Sequence, residues 1–216
     1  MKIGIIGGTG EIGEGMAMRL SVHYDVAIGS RDEAKACSSS ECTVTLLRGR
    51  GLSCSCRGGG NQEVLDVSDV VILAIPFKHV RQTIEQLSGF EGKIVISPVN
   101  PMARSGHFYY DPPAEGSAAE FIKGLLPEEA RLVTAFNNIA GNRWRAIDEE
   151  LDYSVAVCSD DEDAKKTVMD IVNSVSRLRA YDAGPLAVSS IIESITPLLL
   201  NIARFNKMKD VGVLFR

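Results

Sequence analysis

The sequence predicts an α/β fold, a doubly wound parallel sheet with a smaller C-terminal α/β extension, and three observations carry that reading. Apolar stretches of strand length alternate with helically periodic segments along the whole chain, the order in which a parallel sheet covered on both faces is written. The run Val70 to Ile75 is continuously apolar, as in a strand buried on both sides. The chain also opens on KIGIIGGTGEIG, an apolar strand that passes through a glycine turn straight into a helix. There Gly8, Gly10 and Gly13 match G-x-G-x-x-G. The first glycine is expected to permit the tight turn, the second to let backbone approach a pyrophosphate, and the third to let helix pack on strand. Ile3, Ile5 and Ile6 precede the turn, and Ile12, Met16 and Leu20 follow it at i, i+4 and i+8. A helix N-terminus in that position offers free N–H groups and a positive dipole end to an anion. The segment therefore reads as a Rossmann-type dinucleotide site, the alternative being a tight turn that holds nothing.

Length and composition narrow the class. The 216 residues suffice for one large α/β domain with a small appendix, and 45% hydrophobic with 24% charged residues is ordinary for a globular protein. The formal net charge of −5 argues against nucleic acid as a partner. Cys37, Cys42, Cys54, Cys56 and Cys158 are odd in number and lack paired C-x-x-C spacing, so reduced thiols and no metal site are expected. The longest apolar run, about seven residues, falls far short of the ~20 needed to span a bilayer. Met1-Lys2 leads directly into the first strand. A cytoplasmic protein with no membrane partner is the expectation.

The remaining elements follow in order. Asp25 to Ile28 reads as the second strand, ending in Gly29-Ser30-Arg31. From Cys37 to Gly60 the Ser-, Cys- and Gly-rich sequence allows only a loosely placed helix and loop. Val70 to Ile75 is a strand stopped by Pro76, followed by a helix with Val80, Ile84 and Leu87 on one stripe. Lys93 to Ser97 is a strand that opens into a long loop containing four prolines and Phe108, Tyr109 and Tyr110. Ser117 with Glu120 forms a capping box, and Arg131 to Phe136 a further strand. Beyond Trp144 come a strand over Tyr153 to Val157, a helix with Ala164, Val168, Ile171 and Val175, and a strand over Leu178 to Tyr181 that ends in an Asp182–Pro185 turn. The final helix is expected to start near Ser190, with Glu193 completing its capping box. Its wide apolar face suits a core helix or a dimer contact, and Pro197 should kink it.

The end of the second strand selects the cofactor. NAD sites usually place an acidic residue there for the ribose 2′-hydroxyl, whereas NADP needs donors. Here the place reads Ser30-Arg31, with Lys35 one helical turn on, so a planar fork and a point charge can meet a 2′-phosphate. Ser30-x-x-Glu33 is also a capping box, which is compatible with holding a phosphate. Asp32, Glu33, Glu11 and Glu14 add negative charge nearby and speak against the reading. NADP is favoured. The chain then divides into an NADP-binding Rossmann part, residues 1–150, and a smaller C-terminal α/β part, residues 151–216, packed on the same domain.

Ligands of open α/β sheets sit at the carboxyl ends of the strands. The residues placed there are Thr9 to Ile12, Ser30 and Arg31, Ile75 and His79, Ser97 to Asn100, and Asn137 to Gly141. His79 is the one histidine among them, a weak candidate for a general acid and more readily a structural group. No Ser-His-Asp set or carboxylate pair is placed for acid–base work. No catalytic side chain is therefore assigned, which fits hydride transfer between two cofactors.

The segments GGTGEIG, IGSRDEAK, AIPFKH, ISPVNP, AVCSDDEDAKK, DAGPL and ESITPLLLNIARFNKMKDVGVLF resemble the NADPH-dependent F420 reductases of methanogenic and related archaea. The resemblance covers nearly the whole chain, and DAGPL followed by TPLLLNIARFN is its most specific part. It implies reversible hydride transfer between reduced coenzyme F420, an 8-hydroxy-5-deazaflavin, and NADP. It also implies that Thr9, Gly10, Glu11 and Ile12 contact the pyrophosphate and nicotinamide, and Ser30, Arg31 and Lys35 the 2′-phosphate. Ile75, His79, Asn100 and Gly141 would line the nicotinamide end, and Val211 would close the deazaflavin side. A homo-oligomer, dimer or tetramer, is implied as well. Two positions depart from the pattern: the Ser/Cys/Gly-rich run after Cys37 replaces a steadier Ala-rich helix, and Glu11 stands where an amide is more usual. Two other readings stay open, an NADP-dependent reductase of a small imine, carbonyl or metal-chelate substrate, and a non-enzymatic NADP-binding sensor.

Overall fold

The computed structural model describes the whole chain, Met1–Arg216. Its elements are β1 (Lys2–Ile6), α1 (Glu11–Leu20), β2 (Asp25–Ser30), α2 (Glu33–Gly49), β3 (Ser55–Gly60), α3 (Asn61–Val67), β4 (Val70–Leu73), α4 (Val80–Glu85) and β5 (Ile94–Ser97). Then follow β6 (Met102–Ser105), β7 (His107–Tyr110), α5 (Ala118–Lys123), β8 (Arg131–Thr134), α6 (Gly141–Arg145), β9 (Tyr153–Cys158), α7 (Glu162–Ser174), β10 (Leu178–Gly184) and α8 (Ser189–Asn206).

Eight strands form one sheet in the order β10-β9-β8-β5-β4-β1-β2-β3. The chain leaves β1 toward β2 and later returns to β4 on its other side, which opens a crevice at the carboxyl ends of β1 and β4. Strand residues alternate between two cores. Ile3, Ile5, Val70, Ile72, Ile94 and Ile96 face α1, α6 and α7, whereas Ile6, Val71, Leu73 and Val95 face α3, α4 and α5. Burial on both faces is why these strands read as unbroken apolar runs. The sheet is mostly parallel rather than wholly so: β9 runs antiparallel to β8, and β10 parallel to β9.

Several expectations need correction. The tight turn after β1 is made by Gly7, at φ +70°, and not by Gly8. Gly8 and Gly13 are instead packing glycines: a Cβ on Gly13 would lie 2.5 Å from the Gly8 Cα, and one on Gly8 2.8 Å from the Ile5 carbonyl oxygen. The segment after Cys37 continues as helix to Gly49, then forms β3. Gly58 of that run has a steric reason, since a Cβ there would meet the Ala36 backbone at 2.3 Å where α2 lies on the strand. The long aromatic loop contains the β6–β7 hairpin, and β10 runs through Asp182 to Gly184 before the chain turns.

Two capping boxes are also corrected. Asp32, not Ser30, caps α2, its carboxylate accepting from the Lys35 N–H at 3.2 Å, while the Ser30 hydroxyl accepts from the Asp32 N–H at 3.1 Å. Helix α8 begins at Ser189 without a side-chain cap, and Glu193 serves a different helix. Fully buried, Glu193 accepts from the N–H groups of Ala118 (2.8 Å) and Ala119 (3.0 Å) at the start of α5, and from the Tyr110 hydroxyl (2.9 Å). Ser117 does cap α5, as expected, with 3.0 Å to the Glu120 N–H.

Helix α8 continues past the buried Pro197 to Asn206. By length and hydropathy alone Leu186–Asn206 could cross a bilayer. Glu193 sits inside it, bonded to α5. Only Ser189, Ile192, Glu193 and Pro197 of the helix are buried, and Ile191 (64%), Leu198 (57%) and Phe205 (66%) are largely exposed. Of the two roles the sequence left open, the exposed Ile191, Leu198 and Phe205 fit a contact face, while Ile192 packs inward.

Candidate active site

The crevice at the carboxyl ends of β1, β4 and β5 encloses about 630 Å³. Gly10, Glu11 and Ile12 form one wall, Ala74 to Lys78 another, and Pro98, Val99 and Asn100 a third. Met102 and Asp111, at the two ends of the hairpin, close the outer edge. Seven residues singled out from the sequence thus meet here, Gly10, Glu11, Ile12, Ile75, Pro98, Val99 and Asn100, whereas Thr9, His79 and Gly141 lie outside the lining. Ile12 explains itself at this point, since it is 39% exposed and turns away from the core that Met16 and Leu20 enter.

The turn holding this wall is tied down by backbone. The Gly8 N–H donates to the Gly29 carbonyl at 2.9 Å, and the Gly7 N–H to the Asn61 Oδ1 at 3.4 Å. Asn61 also abuts Gly29, where a Cβ would come within 2.8 Å of its Oδ1. Sequence reading missed both Gly7 and Asn61; the signal for the second was the Gly58–Gly60 run that delivers it to the end of β3.

At the end of β2, Ser30 is buried, and Arg31 and Lys35 are exposed and in no ion pair. Two free cations beside a helix start suit a phosphate. Asp32 is spent on capping α2, and Glu14 faces Ser39 (3.2 Å) and Arg145 (3.9 Å), so part of the opposing charge has partners of its own.

Helix α6 brings Gly141 against Glu11: a Cβ on Gly141 would lie 2.9 Å from the Glu11 Cγ. Further along, a Cβ on Gly15 of α1 would lie 2.4 Å from the Trp144 Cβ, so the two helices pass in close contact. The buried Arg19 then donates to the carbonyls of Trp144 (3.0 Å), Ala146 (2.6 Å) and Glu149 (2.9 Å), capping the far end of α6. Burial and the neighbouring Arg143 lower the affinity of Arg19 for its proton from the ordinary guanidinium value.

Asn100 is held rather than free. Its Nδ2 donates to the Asn137 carbonyl at 2.9 Å, and its Oδ1 accepts from the Asn137 Nδ2 at 3.1 Å. Thr196 of α8 donates to the same carbonyl at 2.6 Å. The hairpin is likewise carried by α8: Asn201 accepts from the Phe108 N–H (2.9 Å) and donates to the Phe108 carbonyl (2.7 Å). His79 sits half-buried between a 3-10 turn and α4, adjoining Lys78 of the cleft wall, with no carboxylate bonded to it. Val211 lies outside the cleft lining, in a tail fixed to β9 and α6. Burial pushes Cys56 up to about 12 and Cys158 up to about 11, which keeps both as unreactive thiols.

Comparison with known proteins identifies the family. The family model "NADP oxidoreductase coenzyme F420-dependent" matches residues 2–101. The chain is 37% identical over 219 aligned positions to the F420-dependent NADP reductase of Methanocaldococcus jannaschii, covering 99% of this chain and 97% of that one. It is 34% identical to the enzyme of the same name from Methanothermobacter thermautotrophicus, over 99% and 94% of the two chains. In fold, it matches a crystal structure from Arthrobacter sp. FB24, a candidate F420-dependent NADP reductase, with a TM-score of 0.79 at 21% identity over 100% and 99% of the chains. Full-length similarity to two such enzymes, together with a cleft at the β1–β4 crossover, makes this chain a member of the F420-dependent NADP reductase family.

Proposed function

We propose that this enzyme transfers hydride reversibly between reduced coenzyme F420 and NADP, and the observation that carries the reading is the full-length similarity to F420-dependent NADP reductases. When bound, the nicotinamide and deazaflavin rings supply the hydride donor and acceptor carbons. The protein supplies orientation and a dry pocket.

The residues present fit an NADP. Gly10, the N-cap of α1, has no side chain and no close neighbour and leaves the helix N-terminus open to a pyrophosphate, with Thr9, Glu11 and Ile12 around it and Gly8 and Gly13 setting the close packing behind it. Ser30, Arg31 and Lys35 would hold the 2′-phosphate, and Ile75, His79, Asn100 and Gly141 would shape the nicotinamide end. Val211 would close the deazaflavin side. Residues 1–150 then bind NADP, while 151–216 supply the helix and tail on the acceptor side. We place the enzyme in the cytoplasm, as a homo-oligomer using the exposed apolar face of α8.

His79 in this reading shapes the pocket without moving a proton. His79→Asn should therefore slow F420 reduction less than tenfold, against the ~10²- to 10⁴-fold loss expected of a general acid. A loss in that larger range in single-turnover kinetics would instead assign His79 the proton that the deazaflavin takes up together with the hydride.

A further inference from the structure

We propose that Asp210, clasped by Arg143 and Tyr153, is a positioning residue that latches the C-terminal tail against the acceptor side of the cleft. The inference rests on the reaction assigned above.

The tail after α8 is docked at successive points. The Asp210 carboxylate lies 3.2 Å from Arg143 Nε and accepts from the Tyr153 hydroxyl. Gly212 lies flat on the Tyr153 ring, where a Cβ would come within 1.9 Å of Cε1. The Ser154 N–H donates to the Val213 carbonyl at 2.7 Å, and the Phe215 N–H to the Ser154 hydroxyl at 2.8 Å. Phe215 then packs edge-on against Tyr181, 5.4 Å between centroids.

Both anchors connect through intervening residues to Glu11 and Asn100, which line the cleft. Arg143 is on α6, two residues from Gly141, which packs on Glu11 of the cleft wall. Ser154 accepts at its carbonyl from Asn138 (2.9 Å), next to the Asn137 that interlocks with Asn100. The tail is therefore coupled to the nicotinamide end by two separate routes. It is far from the 2′-phosphate end: five strand spacings separate β9 from β2, about 24 Å. A loosened tail should disturb the second ligand while leaving NADPH affinity intact.

The test compares Asp210→Asn, Tyr153→Phe and Gly212→Ala with the parent, using oxidised F420 as acceptor. KM for F420 should rise about 5- to 10-fold, with the NADPH Kd, read by its fluorescence, unchanged within twofold. Limited proteolysis should cut the tail sooner in all three variants. An unchanged F420 KM with a released tail would overturn the proposal, as would equal losses for both ligands or a tail as protected as the parent's. Failure of the parent itself to reduce F420 would remove the assigned reaction, a separate result, and the latch with it.

Discussion

At the scale of single residues, the proposed 2′-phosphate site rests on Arg31, an exposed and unpaired guanidinium beside the start of α2. Replacing it with Ala should remove about 1.5–3 kcal/mol of NADPH binding, roughly 10- to 150-fold in Kd. Titration calorimetry with NADPH and NADH checks this, because the effect should be confined to the phosphorylated cofactor. The place of these residues in the fold was legible in the sequence, since the second strand ends at Ser30 and α2 begins beside Arg31. The division of labour among the glycines was not. Gly7 and Gly8 are neighbours, and only the backbone path assigns the positive φ to the first and the close packing to the second. Glu193 misled for a similar reason: its spacing from Ser190 matches a capping box, yet burial against α5 offers it two amides and a phenol that no local pattern reveals.

At the scale of elements, α6 is placed by two features of α1, the missing side chain of Gly15 and the guanidinium of Arg19. Gly15→Ala forces a methyl group to within 2.7 Å of the Trp144 carbonyl carbon and should destabilise the protein by about 1–3 kcal/mol, measured by urea unfolding. Helix α8 ties α5 to the hairpin through Glu193, and its burial raises the Glu193 carboxyl above the ordinary value, opposed by its three donors. The folded state then holds this proton more tightly than the unfolded chain. The contribution to stability is fully present below the ordinary carboxylate pKa, about 4.3, and shrinks as pH rises through the raised value. Glu193→Gln cannot titrate. Its deficit relative to the parent should be largest near the acid end and narrow toward neutrality, which paired unfolding curves across pH will show. The hairpin that α8 supports escaped the sequence because its short strands make a two-stranded sheet separate from the main one and lack apolar alternation.

At the scale of the whole molecule, the alternation of strand and helix outside residues 37–60 and the hairpin, and the crevice after β1, follow from periodicity and the first thirteen residues. The reversal of β9 did not, because strand direction is set by the connection through α6 and not by composition. The exposed face of α8 predicts self-association: Leu198→Glu with Phe205→Glu should lower the mass measured by light scattering to that of one chain. The central claim is the hydride transfer itself. Purified protein mixed with NADPH and oxidised F420 should bleach the near-visible absorbance of the deazaflavin quickly, and NADH should give little or none. Absence of bleaching while NADPH remains bound would contradict the account.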